Sequence, residues 1–113
     1  MDSDQEILAY FQKLLHDAGY RVTAVSDPDK AMELLSPLPV YPPDRFDFIW
    51  SAGLRWKPCY MLAAKQYGLR NLVVVTGSSE TIKHVDLLGA KTFEKPVPPK
   101  EVIDYISRCC PAN

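Results

Sequence analysis

The run from Asn71 to Val97, NLVVVTGSSETIKHVDLLGAKTFEKPV, constrains the fold more than any other part of the chain. Leu72–Val75 is a short β-branched apolar run, as expected of a strand buried on both faces. A polar turn follows, then the helical spacing of Ser79–Leu88. Gly89 stops that helix, because a residue without Cβ enters the left-handed conformation at no steric cost. Thr92–Glu94 reads as a second short strand and leads into Lys95-Pro96. Neighbouring strands thus end on a hydroxyl, Thr76, and an ammonium, Lys95, and donors of that kind suit an anionic centre. The preceding apolar run, FDFIWSAG, ends on Ser51, Ala52 and Gly53 and supplies no acid there.

The rest of the chain continues the alternation. Residues 4–18 carry Ile7, Phe11, Leu14, Leu15 and Ala18 at helical spacing. Ser3 and Glu6 fit a capping box, and Gly19 supplies the stop. Asp4 also fits as a favourable charge at the helix N-terminus. Arg21–Val25 alternates and reads as a strand. Ser26-Asp27-Pro28 starts a second helix, where proline at the first position loses no hydrogen bond; it runs to about Leu35 and buries Ala31, Leu34 and Leu35. PLPVYPPDR, residues 37–45, reads as an ordered loop or semi-rigid connector. Phe46–Trp50 reads as a buried strand. Pro58 opens a helix that Gly68 ends after Tyr67. Pro98-Pro99 opens the last helix, with Val102, Ile103 and Ile106 on its buried face. Strands alternating with helices imply a parallel sheet covered on both faces. The ligand site of such a sheet lies beyond the carboxyl ends of its strands, here Ser26-Asp27, Ser51–Gly53, Thr76-Gly77 and Lys95-Pro96.

Composition sets the outer limits. The 113 residues suffice for one hydrophobic core, and a single domain, 1–113, with no output domain is the expectation. A net charge of −1 advertises neither nucleic acid nor anionic lipid as a partner. No apolar run approaches the roughly 18–20 residues of a bilayer span. MDSDQEI is too acidic for a signal peptide. Cys59, Cys109 and Cys110 match neither a disulfide framework nor a zinc site, so a reducing cytoplasm is the expected location. Neither His16 nor His84, both read as exposed helical residues, pairs with a cysteine as a hydrolase needs.

DSDQEIL before a helix ending in AGY, DPDKAMELL, DFIW, VVVTG, the GA at 89–90 and FEKPV follow one another in an order and spacing that resembles the receiver domain of bacterial response regulators, the CheY-like family. The resemblance spans essentially the whole chain. It implies a flavodoxin-like α/β fold with helices on both faces of a parallel sheet. Four strands are visible, and the family's central first strand is missing or supplied from outside, since Met1 stands where that strand would end. The gene model or chain is truncated, the sheet closes without the strand, or a second chain covers the gap; a homodimer through the open edge is the first of these to test.

The resemblance also implies a phosphoryl-transfer site, in which metal, lysine and hydroxyl neutralise charge. Thr76 matches the switch hydroxyl, and Lys95 with Pro96 matches the lysine-proline. Ala52 stands at the phospho-accepting position and has no nucleophilic atom. Asp2 and Ser3 stand on the acidic pair, so one of three metal carboxylates remains, too few for a hard cation. No metal, cofactor or catalytic residue is therefore expected. Lys95 is expected to face Asp2 or Asp4, or solvent. Ser51 is turned away from Ala52 by strand alternation, and Asp47 lies at the far end of its strand. Trp50 is read as core; Trp56, in the loop over the site, as a lid, a partner anchor or an exposed aromatic. The reading is a pseudo-receiver: not an enzyme but a phosphorylation-independent signalling module of phosphorelay type. Its interaction face would carry Lys83, Lys91, Lys100 and Asp104, and its partner would be a histidine kinase or a separate output protein. The alternatives are an atypical phosphoacceptor and a small-anion-binding domain.

Overall fold

The computed structural model describes residues 1–36 and 46–112; the connector expected at 37–45 lies outside them. Five helices run over Gln5–Asp17 (α1), Pro28–Leu35 (α2), Lys57–Tyr67 (α3), Ser79–Leu88 (α4) and Pro99–Cys109 (α5). Three strands, Ile49–Ala52 (β1), Leu72–Thr76 (β2) and Lys91–Glu94 (β3), form a parallel sheet in the order β1-β2-β3. Ile49 pairs with Leu72, and Thr76 with Glu94.

The pleat sorts β2 between two apolar layers. Leu72 and Val74 face a cluster with Ala31, Leu35, Tyr60, Ala63 and Val85, drawn from α2, α3 and α4. Val73 and Val75 face Leu8, Phe11, Val102 and Ile106 of α1 and α5. Burial on both sides is why β2 has no polar alternation.

Local chemistry sets the helix ends. α1 is capped by Asp4, whose Oδ1 accepts from the N–H groups of Glu6 (3.0 Å) and Ile7 (3.2 Å). The capping box expected at Ser3 does not form, because a carboxylate two bonds can reach is the stronger acceptor and the Ser3 hydroxyl is taken by the indole N–H of Trp56 at 3.2 Å. Leu8, not foreseen, joins Phe11 in the buried stripe, and Ala18 is exposed at the C-cap. Gly68 and Gly89 end their helices at φ +88° and +91°.

Two strand expectations change. The strand expected at Phe46–Trp50 is laddered over Ile49–Ala52 instead, the four residues that face Leu72–Val75. Arg21–Val25, expected as a strand, carries no ladder, so the described sheet has three strands rather than four. Alternating apolar residues make a strand only where a neighbour offers hydrogen bonds, and here that neighbour is two residues long. The α-amino group of Met1 donates to the Trp50 carbonyl at 2.7 Å. The Met1 carbonyl accepts from Ala52 N–H at 2.7 Å, and Asp2 N–H donates to the Val25 carbonyl at 3.3 Å. Met1 and Asp2 thus bridge Val25 and β1 as a strand would. Beyond them lies a cleft of about 500 Å³ between residues 19–25 and 46–50.

Candidate functional site

Parallel pairing brings the carboxyl ends of β1, β2 and β3 to one edge, and the N-terminal turn joins them there. Asp2, Ser3, Ala52, Thr76 and Lys95 all line one depression of about 420 Å³. Pro96 stands next to it, joined to Lys95 by a cis peptide bond.

Within this depression the polar groups satisfy one another. Asp2, a buried side chain, accepts from Asp4 N–H at 3.0 Å through one oxygen and faces the Lys95 ammonium at 3.4 Å through the other. Of the partners expected for Lys95, Asp2 is the one the structure shows. Thr76 is buried, and its Oγ1 accepts from Ser78 N–H at 3.1 Å, closing the turn into α4. Lys95 N–H donates to the Thr76 carbonyl at 2.9 Å, which ties the ends of β2 and β3 together. Gly53 is pressed against the same threonine: a Cβ there would stand 2.7 Å from Thr76 Oγ1 and 2.7 Å from Thr81 Cγ2. Ala52 presents only a methyl group. Ser51 is fully buried and donates to the Ala52 carbonyl at 2.7 Å, so its hydroxyl stays within β1.

The donor set does not fit the divalent cation that the resemblance implies. Asp2 is the only carboxylate among the described lining residues, and the ammonium of Lys95 already faces it. Among the described residues no three His, Cys, Asp or Glu side chains converge on a common point. A hard cation needs an array of charged oxygens, and here one lysine occupies the place of that charge.

Arg55, not foreseen, also lines the depression, with Gly53 and Trp56, which were expected at and over it. Arg55 is exposed and adds a second cation. Trp56 is 2% exposed and anchored by its bond to Ser3, which rules out both a surface aromatic and an accessible partner anchor. The rule that sites form beyond the carboxyl ends of strands could have found Arg55, since the turn after β1 carries it. His84, expected exposed, is half-buried on α4 with its Nδ1 3.2 Å from the Tyr60 hydroxyl, and burial raises the Tyr60 pKa.

Lys83, Lys91, Lys100 and Asp104 lie away from this depression and are all exposed. Lys91 sits over the rings of Phe93 (5.0 Å) and Tyr105 (5.7 Å), joining β3 to α5. Leu87, on the adjoining helix, is 88% exposed.

The crystal structure of a response regulator receiver protein from Sinorhizobium medicae WSM419 matches this chain with a TM-score of 0.76 over 96% of this chain and 88% of that one, at 23% identity. The chain has the receiver fold. No family model and no curated protein matches its sequence. The receiver fold accounts for the edge on which β1, β2 and β3 end together. No described helix is long and apolar enough to cross a membrane.

Proposed function

We propose that the protein is a pseudo-receiver, a signalling module of two-component type that works through protein contacts and does not accept a phosphoryl group. The carrying observation is the carboxyl end of β1: Ala52 lines the depression with a methyl group while Asp2 and Lys95 neutralise each other beside it. Phosphoryl transfer to a receiver needs a nucleophilic oxygen and cations to neutralise the transferred group. The nucleophile is absent at position 52, and Lys95 already faces a carboxylate. Thr76 and Lys95, with Pro96, are on this reading the remains of a phosphate site, and Asp2 and Ser3 those of its acidic pair.

Contacts with a histidine kinase or a separate output protein would use the face of α4, β3 and α5. Its exposed Lys83, Lys91, Lys100 and Asp104 suit a polar, transient interface, and Leu87 provides an apolar contact within it. The cytoplasm is the compartment in which such a partner would be met. A homodimer would bury the β1 edge; light scattering at micromolar concentration then gives twice the chain mass, and a monomer rejects it.

The deciding experiment is intact-mass measurement after incubation with acetyl phosphate and Mg²⁺. The expected result is an unchanged mass. A stable gain of one phosphoryl group, abolished by changing one acidic residue or Ser51, would establish the atypical phosphoacceptor instead. One observation favours a second reading, a small-anion binder: Arg55 and Lys95 both line the depression. Phosphate titration followed by tryptophan fluorescence tests it, since Trp56 lines the same space; no response at millimolar phosphate rejects it.

A further inference from the structure

Pro111 sets the end of α5. Proline disfavours the helical conformation for the residue before it, and Cys110 accordingly leaves the helix at φ −143° and ψ 78°. Its N–H still donates to the Ile106 carbonyl at 2.7 Å, closing the last turn. Its carbonyl accepts from the Tyr20 hydroxyl, which also lies 3.3 Å from Ser107 Oγ. The Tyr20 ring packs against the layer that holds Val102 and Ile106. Beside it, a Cβ on Gly19 would stand 3.3 Å from Ala112 Cβ. The peptide groups of Cys110 therefore latch the end of α5 to the turn after α1.

Two thiols sit at this latch. Cys109, the last residue of α5, is exposed and Cys110 is half-buried; both are free. Cys109 is thus the sulfur that an incoming reagent meets first. Burial pushes the Cys110 thiol up, and Asp47 and then Cys109 add to this. The third cysteine, Cys59, is buried in the other apolar layer. Adjacent Cα atoms stand about 3.8 Å apart. That is closer than the roughly 4.4 Å or more usual in disulfides, so a bond between neighbours is strained and readily reduced. A bond of that kind suits reversible sensing, not permanent stability.

We propose that Cys109 and Cys110 form a reversible dithiol–disulfide site whose oxidation releases the Tyr20 latch. The oxidant is a small disulfide of the glutathione class. The Cys109 sulfur attacks one sulfur of it, so that a mixed disulfide forms, the old S–S bond breaks and one thiolate departs. The Cys110 sulfur then attacks Cys109 Sγ and expels the second thiolate. Each cysteine gives its proton to solvent, and each departing thiolate takes one up. Two cysteine thiols are oxidised and one disulfide is reduced to two thiols.

The ring that closes contains the peptide bond between the two residues. Consecutive side chains of a helix point about 100° apart, so Cys109 must leave the helix to close it. The Cys110 N–H then turns away from Ile106, and the Cys110 carbonyl from Tyr20. Neither step depends on whether the chain accepts a phosphoryl group.

The test is a titration of the chain with oxidised and reduced glutathione in stepped ratio, trapped with N-ethylmaleimide and read by intact mass and peptide mapping. At the oxidising end the chain should lose two hydrogens, retain no glutathione and keep the Cys59 thiol. Excess reduced glutathione should reverse the change. Cys110→Ser should stop at a mixed disulfide on Cys109. By hydrogen exchange, the Cys110 amide of the oxidised chain should exchange on the order of tenfold faster, the scale of one or two lost hydrogen bonds. No oxidation, a glutathione retained by the unsubstituted chain, or a disulfide between two chains would overturn the paired site. An intramolecular bond with unchanged exchange at Cys110 would overturn the release of the latch.

Discussion

The sheet is knit on one flank and open on the other. On β2, Val73, Val74 and Val75 are at most 1% exposed and have parallel neighbours on both sides. Among the described residues, β1 has β2 on one side and, on the other, Met1 and a cleft. The candidate site straddles the two flanks, and its residues divide the same way. Thr76 and Lys95 hang from β2 and β3, tied by a 2.9 Å backbone bond. Ala52, Ser3 and Asp2 hang from β1 and the N-terminal turn beside the gap. The donors sit on the knit flank; on the open one stand the Ala52 methyl group, the Ser3 hydroxyl and the Asp2 carboxylate that Lys95 faces.

The largest effect expected from this difference is a pH dependence on the open flank. The Met1 amine has a pKa of 8.0 unfolded and about 5 folded. Between these values the unfolded chain holds one more proton, so stability rises with pH from about 5 to 8. Below pH 5 both states are protonated and the cost is complete. Three pH units correspond to at most about 4 kcal/mol. Denaturant unfolding across this range, compared with the N-terminally acetylated chain, should show a steeper rise for the free amine. Parallel curves would detach the amine from the open flank.

Packing gives the next contrast. Val74→Ala should cost about 2–3 kcal/mol, whereas Val22→Ala on the cleft wall should cost under about 1 kcal/mol. Equal losses would mean that the two flanks are equally consolidated. At the seam, Gly53→Ala should cost about 1–3 kcal/mol, because its Cβ would intrude on Thr76 and Thr81. The smallest effect belongs to Asp2 and Lys95. With Lys95 about a third exposed, a double-mutant cycle through Asp2→Asn and Lys95→Met should give a coupling of about 1 kcal/mol or less.

Where sequence reading succeeded, the local signal and the tertiary environment agree. Leu72–Val75 is β-branched and lies in the middle of the sheet. Ser79–Leu88 lies between a Ser78 cap and Gly89, and both bounds hold. Thr76 and Lys95 were legible as strand ends because the run between them is continuous and regular. Arg21–Val25 misled, since among the described residues its backbone meets the N-terminal turn at Asp2 and no full strand. The capping box at Ser3 misled for another reason: Trp56, more than fifty positions away, takes the hydroxyl. Arg55 went unnoticed because an isolated cation in a turn has no pattern until the fold places it on the same depression as Lys95.

Native-state hydrogen exchange at Trp50 tests the contrast between the flanks most directly. Its amide faces the cleft, whereas those of Val73–Val75 lie within the paired sheet. The Trp50 amide should exchange on the order of a hundredfold faster than the valine amides. Protection of Trp50 equal to that of Val74 would show that the β1 edge is covered in the folded chain, contradicting an open flank.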